Sequence, residues 1–132
     1  MADTGYTYRK NLSGKSFEQA LATVTTALAE EGFGVLSEID AQATLKNKLG
    51  VEFRPYKILG ACNPGLAHKA LQIAPEIGAL LPCNVVVQEF DGSVAVDIAD
   101  PKAMFAITKR AELEEVANEA DARLRRVLAK LP

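Results

Sequence analysis

A hairpin signal constrains this chain more than any other feature. Residues 84–90 (NVVVQEF) and 93–98 (SVAVDI) are two β-rich runs joined by Asp91-Gly92. A two-residue Asp-Gly link favours a tight turn whose twist matches that of its flanking strands. Two strands joined in this way must be antiparallel, whereas a strict α/β sheet alternates strand and helix without a hairpin. Val94, Val96 and Ile98 share one face of the second run.

The rest of the chain alternates around this pair. Residues 4–12 form a first strand with Tyr6 and Tyr8 on one face. Ser16 opens a helix, and Gln19 three residues on completes a capping box. Phe17, Ala20, Leu21, Val24 and Leu28 recur at helical spacing, and Gly32 ends the run in a left-handed conformation. Residues 33–39 read as a strand with positions 33, 35, 37 and 39 on one face. Asp40 caps a short helix carrying Leu45 and Leu49, which Gly50 closes. Residues 56–61 form another strand, begun after Pro55, which has no amide to give a ladder. Asn63 caps the next helix and Pro64 fits its first turn. Leu66, Ala67, Ala70, Leu71 and Ala74 form its apolar face, and Pro75 breaks it. Residues 75–81 make a turn, stopped again by Pro82. After the hairpin, Asp100-Pro101 starts a short helical segment with Met104 and Phe105. A long helix then spans about 111–130, with an apolar stripe through Leu113, Val116, Ala117, Ala120, Leu124, Val127 and Leu128.

The order β-α-β-α-β-α-β-β-α gives the α+β class: helices mainly on one face of an antiparallel or mixed sheet, in one domain over 1–132. A chain of 132 residues buries roughly two-thirds of its unfolded surface, so its core needs neither disulfide nor metal. The net charge of −2, from 15 basic and 17 acidic residues, argues against a nucleic-acid partner. The densest basic cluster, Arg123, Arg125, Arg126 and Lys130, sits where cations offset the negative end of its own helix. No apolar run is long enough to span a bilayer, and Met1-Ala2-Asp3-Thr4-Gly5 opens no signal peptide. A cytoplasmic location is expected, with no membrane partner and with both cysteines as thiols.

Chemistry concentrates at Gly60-Ala61-Cys62-Asn63-Pro64-Gly65, a strand-to-helix junction. The helix start favours a thiolate at Cys62, and the flanking glycines admit a ligand or another backbone. The competing reading makes Cys62 a small packed hydrophobe. Cys83 is likewise followed by Asn, with a spacing that matches no zinc-finger or thioredoxin-like pattern. If the strands through Ile58 and Val86 are antiparallel, both thiols share one sheet end; if parallel, they lie at opposite ends. His68, the sole histidine, completes a possible three-ligand set with Cys62 and Cys83, against the plainer reading of a solvated side chain. Arg54 and Lys57 offer anion contacts, or a solvated loop and edge strand. Gly32-Phe33-Gly34 is no nucleotide loop, and no cofactor is expected.

The runs EFRPYKILGACNP (52–64) and IGALLPCNVVV (77–87) resemble the domain-of-unknown-function 302 family, and the likeness extends from the opening strand to the Asp100-Pro101 segment with Met104. The resemblance implies a curved antiparallel sheet, a homodimer and no established activity. Some relatives are joined to redox or sulfur-handling domains, which favours a thiol role. Cys62, Asn63, Pro64 and Cys83 carry over as motif residues without roles. The leading expectation is a domain binding a small molecule or anion in a cleft near Cys62-Asn63-Pro64, with Gly65, His68, Cys83, Lys57 and Arg54 as further contacts. Its rivals are a thiol-redox or metal-dependent domain using Cys62, and a self-association module with Val94 or Phe90 buried between subunits.

Overall fold

The computed structural model describes residues 4–132; Met1, Ala2 and Asp3, part of the N-terminal reading above, lie outside the described residues. The chain runs β1 (Thr7–Leu12), α1 (Phe17–Glu30), β2 (Gly34–Asp40), α2 (Ala41–Leu49), β3 (Tyr56–Cys62), α3 (Pro64–Ile73), a 3₁₀ turn (Pro75–Leu80), β4 (Cys83–Phe90), β5 (Ser93–Ala99) and α4 (Pro101–Ala106). A second 3₁₀ turn (Ala111–Leu113) leads into α5 (Glu114–Lys130). No helix among the described residues is long and apolar enough to cross a membrane.

Local signals set most of these boundaries. Ser16 Oγ accepts from the Gln19 amide at 3.1 Å and Gln19 Oε1 accepts from the Ser16 amide at 2.9 Å, so the capping box forms as expected. Gly32 and Gly50 take positive φ at the ends of α1 and α2. Asp91 and Gly92 have φ of 52° and 75°, the left-handed pair that a two-residue hairpin needs. Tyr6 falls outside β1 and is exposed, leaving Tyr8 alone on the strand.

The sheet order is β1-β5-β4-β3-β2, and every neighbouring pair is antiparallel. Leu12, Leu59, Ala61, Val85, Val87, Val94, Val96 and Ile98 lie on one face and pack on Phe17, Ala20, Val24 and Leu28 of α1 and Leu124 and Val127 of α5. A second, smaller cluster joins α3 and α4 to the start of α5 around Ile77, Phe105 and Leu113. On the other face Arg9 forks onto Asp97 at 2.5 and 2.9 Å, Gln88 Nε2 donates to Asp97 at 3.1 Å, and the Arg9 guanidinium lies 5.6 Å from the Phe90 ring centroid. These long side chains cover a sheet face on which neither core cluster sits.

Three expectations change. Positions 33, 35, 37 and 39 do not share a face, because a bulge between Val35 and Ser37 inserts a residue. Val35 lies opposite Ala61 on the helix side, while Ile39 lies opposite Ile58 on the other, and Leu36 and Ile39 are 72% and 52% exposed. Helix α2 buries no residue, and Leu49 is exposed. Caps hold it instead: Asp40 Oδ1 accepts from the Ala43 amide at 2.8 Å, and Gln42 Nε2 donates to the Phe53 carbonyl at 2.9 Å. Leu71, expected on the apolar face of α3, is exposed.

The basic cluster of α5 serves mainly its neighbour. Helix α1 has no basic residue in its last turn. Arg123 Nη1 donates to the Glu31 carbonyl at 3.2 Å, while Arg126 and Lys130 reach the Glu31 carboxylate at 2.8 and 2.9 Å. Lys130 and then Arg126 hold that carboxyl below its ordinary range. The remaining cation, Arg125, pairs with Asp121 at 3.1 Å. The cations therefore pair with acids of α1 and α5 and do not form an unneutralised phosphate-binding stripe.

Candidate functional site

Strand β3 ends at Cys62, and α3 starts at Pro64. Asn63 between them is extended, and its Oδ1 accepts from the Leu66 amide at 3.1 Å. Pro64 forfeits nothing, because a first-turn amide has no partner within the helix. The Asn-Pro pair therefore stops the strand and starts the helix within one peptide unit.

The two glycines of the motif behave differently. A Cβ on Gly60 would lie 2.7 Å from Pro82 Cγ and closer still to Ser37 Oγ, so those side chains close over a bare backbone. A Cβ on Gly65 would meet only Asn63 Oδ1, at an ordinary 3.6 Å. Gly32 is the second tight position: its φ is +83°, and a Cβ there would come within 2.9 Å of Asn63 Nδ2. The cap of α3 thus packs against the turn that ends α1.

The register of β3 on β4 pairs Ile58 with Val86 and Ala61 with Cys83, antiparallel, so both thiols lie at one end of the sheet. Both are free and half-buried. They line one cavity, walled also by Phe33, Leu66, Phe105 and Val116. About 30 Å³ of it is open to the centre of a water molecule, room for one or two waters. Among the described residues no charged side chain lines it. Burial first, and the neighbouring Cys62 second, push the Cys83 thiol up to about 11. Cys83 is therefore held as a thiol well above neutral pH.

The expected contacts divide into separate groups. Cys62, Asn63, Gly65 and Cys83 meet at the junction. His68 is exposed on α3, and the described residues contain no group of three His, Cys, Asp or Glu that could hold a metal ion, so the Cys62, Cys83 and His68 set does not assemble. Lys57 is five residues back along β3, about 16 Å from Cys62 at strand rise. Its ammonium lies 2.7 Å from Glu38, and that hydrogen bond raises its pKa. Arg54 stacks over Phe53 at 4.5 Å and Phe90 at 5.8 Å. These two cations belong to the opposite sheet end.

Two features escaped the sequence reading. Phe33, Phe105 and Val116 come to the cavity from three different elements, and no local pattern joins them. Asp121 is a buried carboxylate on α5 that accepts from the Tyr8 hydroxyl and from Arg125 Nε, whose guanidinium lies 4.5 Å from the Tyr8 ring centroid. Burial, then bonds to Asp121 and Asp100, raise the Tyr8 pKa well above its ordinary value, so the phenol stays a donor. An acid within the apolar stripe of Ala117, Ala120 and Leu124 was a legible signal for this network.

Comparison with known proteins adds a family. A family model described as "Domain of unknown function DUF302" matches residues 8–131. An uncharacterized protein of Aquifex aeolicus (strain VF5) is 30% identical over 90 residues, which make up 67% of this chain and 56% of that protein. The match thus spans little more than half of that relative. The crystal structure of uncharacterized conserved protein DUF302 from Bacillus stearothermophilus superposes with a TM-score of 0.88 at 28% identity, over 96% of this chain and 98% of the other.

Proposed function

Because the chain belongs to the DUF302 family, a domain of unknown function, we propose a function from the junction itself: this is a binding domain that seats a small, uncharged molecule between Cys62, Cys83 and α3. The observation that carries this reading is the cavity, with two thiols in otherwise apolar walls beneath a capped helix start. Apolar walls with few polar groups suit a small-molecule site. Asn63 supplies the polar side chain of its wall. An anion is the poorer fit, since Arg54 and Lys57 lie at the far end of β3. A ligand larger than two waters must displace α3 or the Leu81-Pro82 segment. Free, half-buried thiols suit the reducing cytoplasm this reading assumes.

Amide NMR of the full chain, titrated with a panel of small uncharged fragments, tests it. Saturable shifts confined to residues 61–70, 81–83 and the Phe105 neighbourhood are expected. No saturable shift there, across the panel, overturns the reading. The thiol-redox alternative is separated by alkylation. If Cys62 resists modification until the protein unfolds, no nucleophile is available at the junction.

A second observation favours self-association as a homodimer. Neither α1 nor α5 covers the sheet face bearing Ile58 and Val86, and Leu36, Ile39, Leu49 and Val51 are exposed beside it. Val94 cannot serve as the contact because it is 1% exposed in the protein's own core. Phe90 is half-buried near Arg9 and Arg54. The contact reading therefore moves to Leu36 and Ile39. Sedimentation of the wild type and of Leu36→Asp tests it: a wild-type monomer at micromolar concentration excludes the dimer.

A further inference from the structure

We propose that the groove between α4 and α5 is a second binding site, for a small organic oxyanion carrying phosphate or carboxylate. The groove offers about 540 Å³, and Lys102, Lys109 and Arg110 line it with Glu114 as the sole acid among the described residues. This local surplus of positive charge stands on a chain whose net charge is −2. Elsewhere among the described residues, ion pairs are 3.4 Å or shorter. The two longest belong to this groove: Lys102 to Asp121 at 4.0 Å, and Arg110 to Glu76 at 3.8 Å. Both cations are substantially exposed, and Lys109 makes no ion pair among the described residues. The least neutralised cations of α4 and the α4–α5 connection thus gather around one concavity. Lys48 and Lys69, also without ion pairs, sit on other helices.

The floor selects the class of ligand. Phe105, Ala106, Leu113 and Ala117 give the groove an apolar base beneath its charged rim. A bare inorganic ion leaves that base uncovered, whereas an anion with a small apolar body covers it and reaches the cations. Phe105 also lines the thiol cavity, so the two sites share that residue. This site does not depend on the one proposed at the thiols, and either can fail without the other.

Titrating the full chain at low ionic strength with phenyl phosphate, and separately with inorganic phosphate, tests the proposal by amide NMR. Saturable shifts confined to residues 102–118 are expected, with phenyl phosphate about tenfold tighter. Lys109→Glu should weaken phenyl phosphate by at least about tenfold, and Lys109→Arg should preserve it. Lys109 has φ of 57°, so Lys109→Gly removes the charge without backbone conflict; it should weaken binding while the fold persists. The proposal is overturned if Lys109→Gly binds like the wild type, if shifts spread equally around Lys15, Lys48 and Lys69, or if the two ligands bind alike.

Discussion

Replacing Gly60 with alanine should destabilise this protein, against the usual trend. A glycine inside a strand ordinarily weakens it by about 0.5–1 kcal/mol relative to alanine. At Gly60 the added methyl would sit 2.7 Å from Pro82 Cγ, about 0.7 Å inside the 3.4 Å limit of ordinary contact, and would also meet Ser37 Oγ. The serine hydroxyl can rotate away. The proline ring cannot, and it sits directly before Cys83 at the start of β4. Overpacking of this kind costs about 1–3 kcal/mol. Urea unfolding followed by circular dichroism should therefore show a lower midpoint at unchanged slope. A thermal scan should show Tm falling by at least about 3 °C. Gly65→Ala is the control, because the same methyl there meets nothing closer than 3.6 Å in the first turn of a helix. It should be neutral or stabilising by up to about 1 kcal/mol. Adding Ser37→Gly to Gly60→Ala should recover only part of the loss, since Pro82 remains. A Gly60→Ala protein as stable as the wild type, or a Gly65→Ala protein that loses as much, would refute the close-approach account.

Asp121→Ala takes one of two acceptors from the Tyr8 hydroxyl, leaving Asp100, and removes the partner of Arg125; it should cost about 2 kcal/mol in urea unfolding. In a double-mutant cycle with Tyr8→Phe the coupling should reach at least about 0.5 kcal/mol, and strict additivity would contradict a direct bond. Ser16→Ala should cost about 1 kcal/mol, with Ser16→Asp restoring most of it. In a Cys62→Ser background, which leaves burial as the cause of the raised pKa, iodoacetamide at pH 8 should modify Cys83 at least about tenfold more slowly than a free thiol, read by mass spectrometry. The same thiol bears on stability. Its pKa is raised from 9.0 to about 11 on folding, so its contribution is complete below pH 9 and is lost as pH rises through 11. Cys83→Ala should abolish that portion of the alkaline slope; an unchanged slope would assign it to other groups.

Much of the secondary structure was legible because it is decided within a few residues. Ser16 and Gln19 satisfy each other's amides across one helical turn. Asn63 accepts from the Leu66 amide one turn into α3, and Asp91-Gly92 closes its hairpin with its own φ angles. The errors occurred where a distant partner intervened. The alternation through Phe33, Val35 and Ile39 looked like one strand face, but the bulge opposite Gly60 and Ala61 reversed it halfway. The cations of α5 looked like caps for their own helix, yet the carbonyl that Arg123 reaches lies at the end of α1.

The junction shows the same division. Sequence alone determined a thiol between a strand and a capped helix, and an α+β class forced by the hairpin, because caps, turns and breakers act through neighbouring peptide groups. Only the tertiary structure decided that Cys83 shares the sheet end of Cys62 and that His68 joins no metal-binding group of three among the described residues. Those outcomes follow from the antiparallel register of β3 on β4 and from packing between α3, α4 and α5. Register and packing are set by burying side chains from segments far apart in the chain, and no local pattern carries that information.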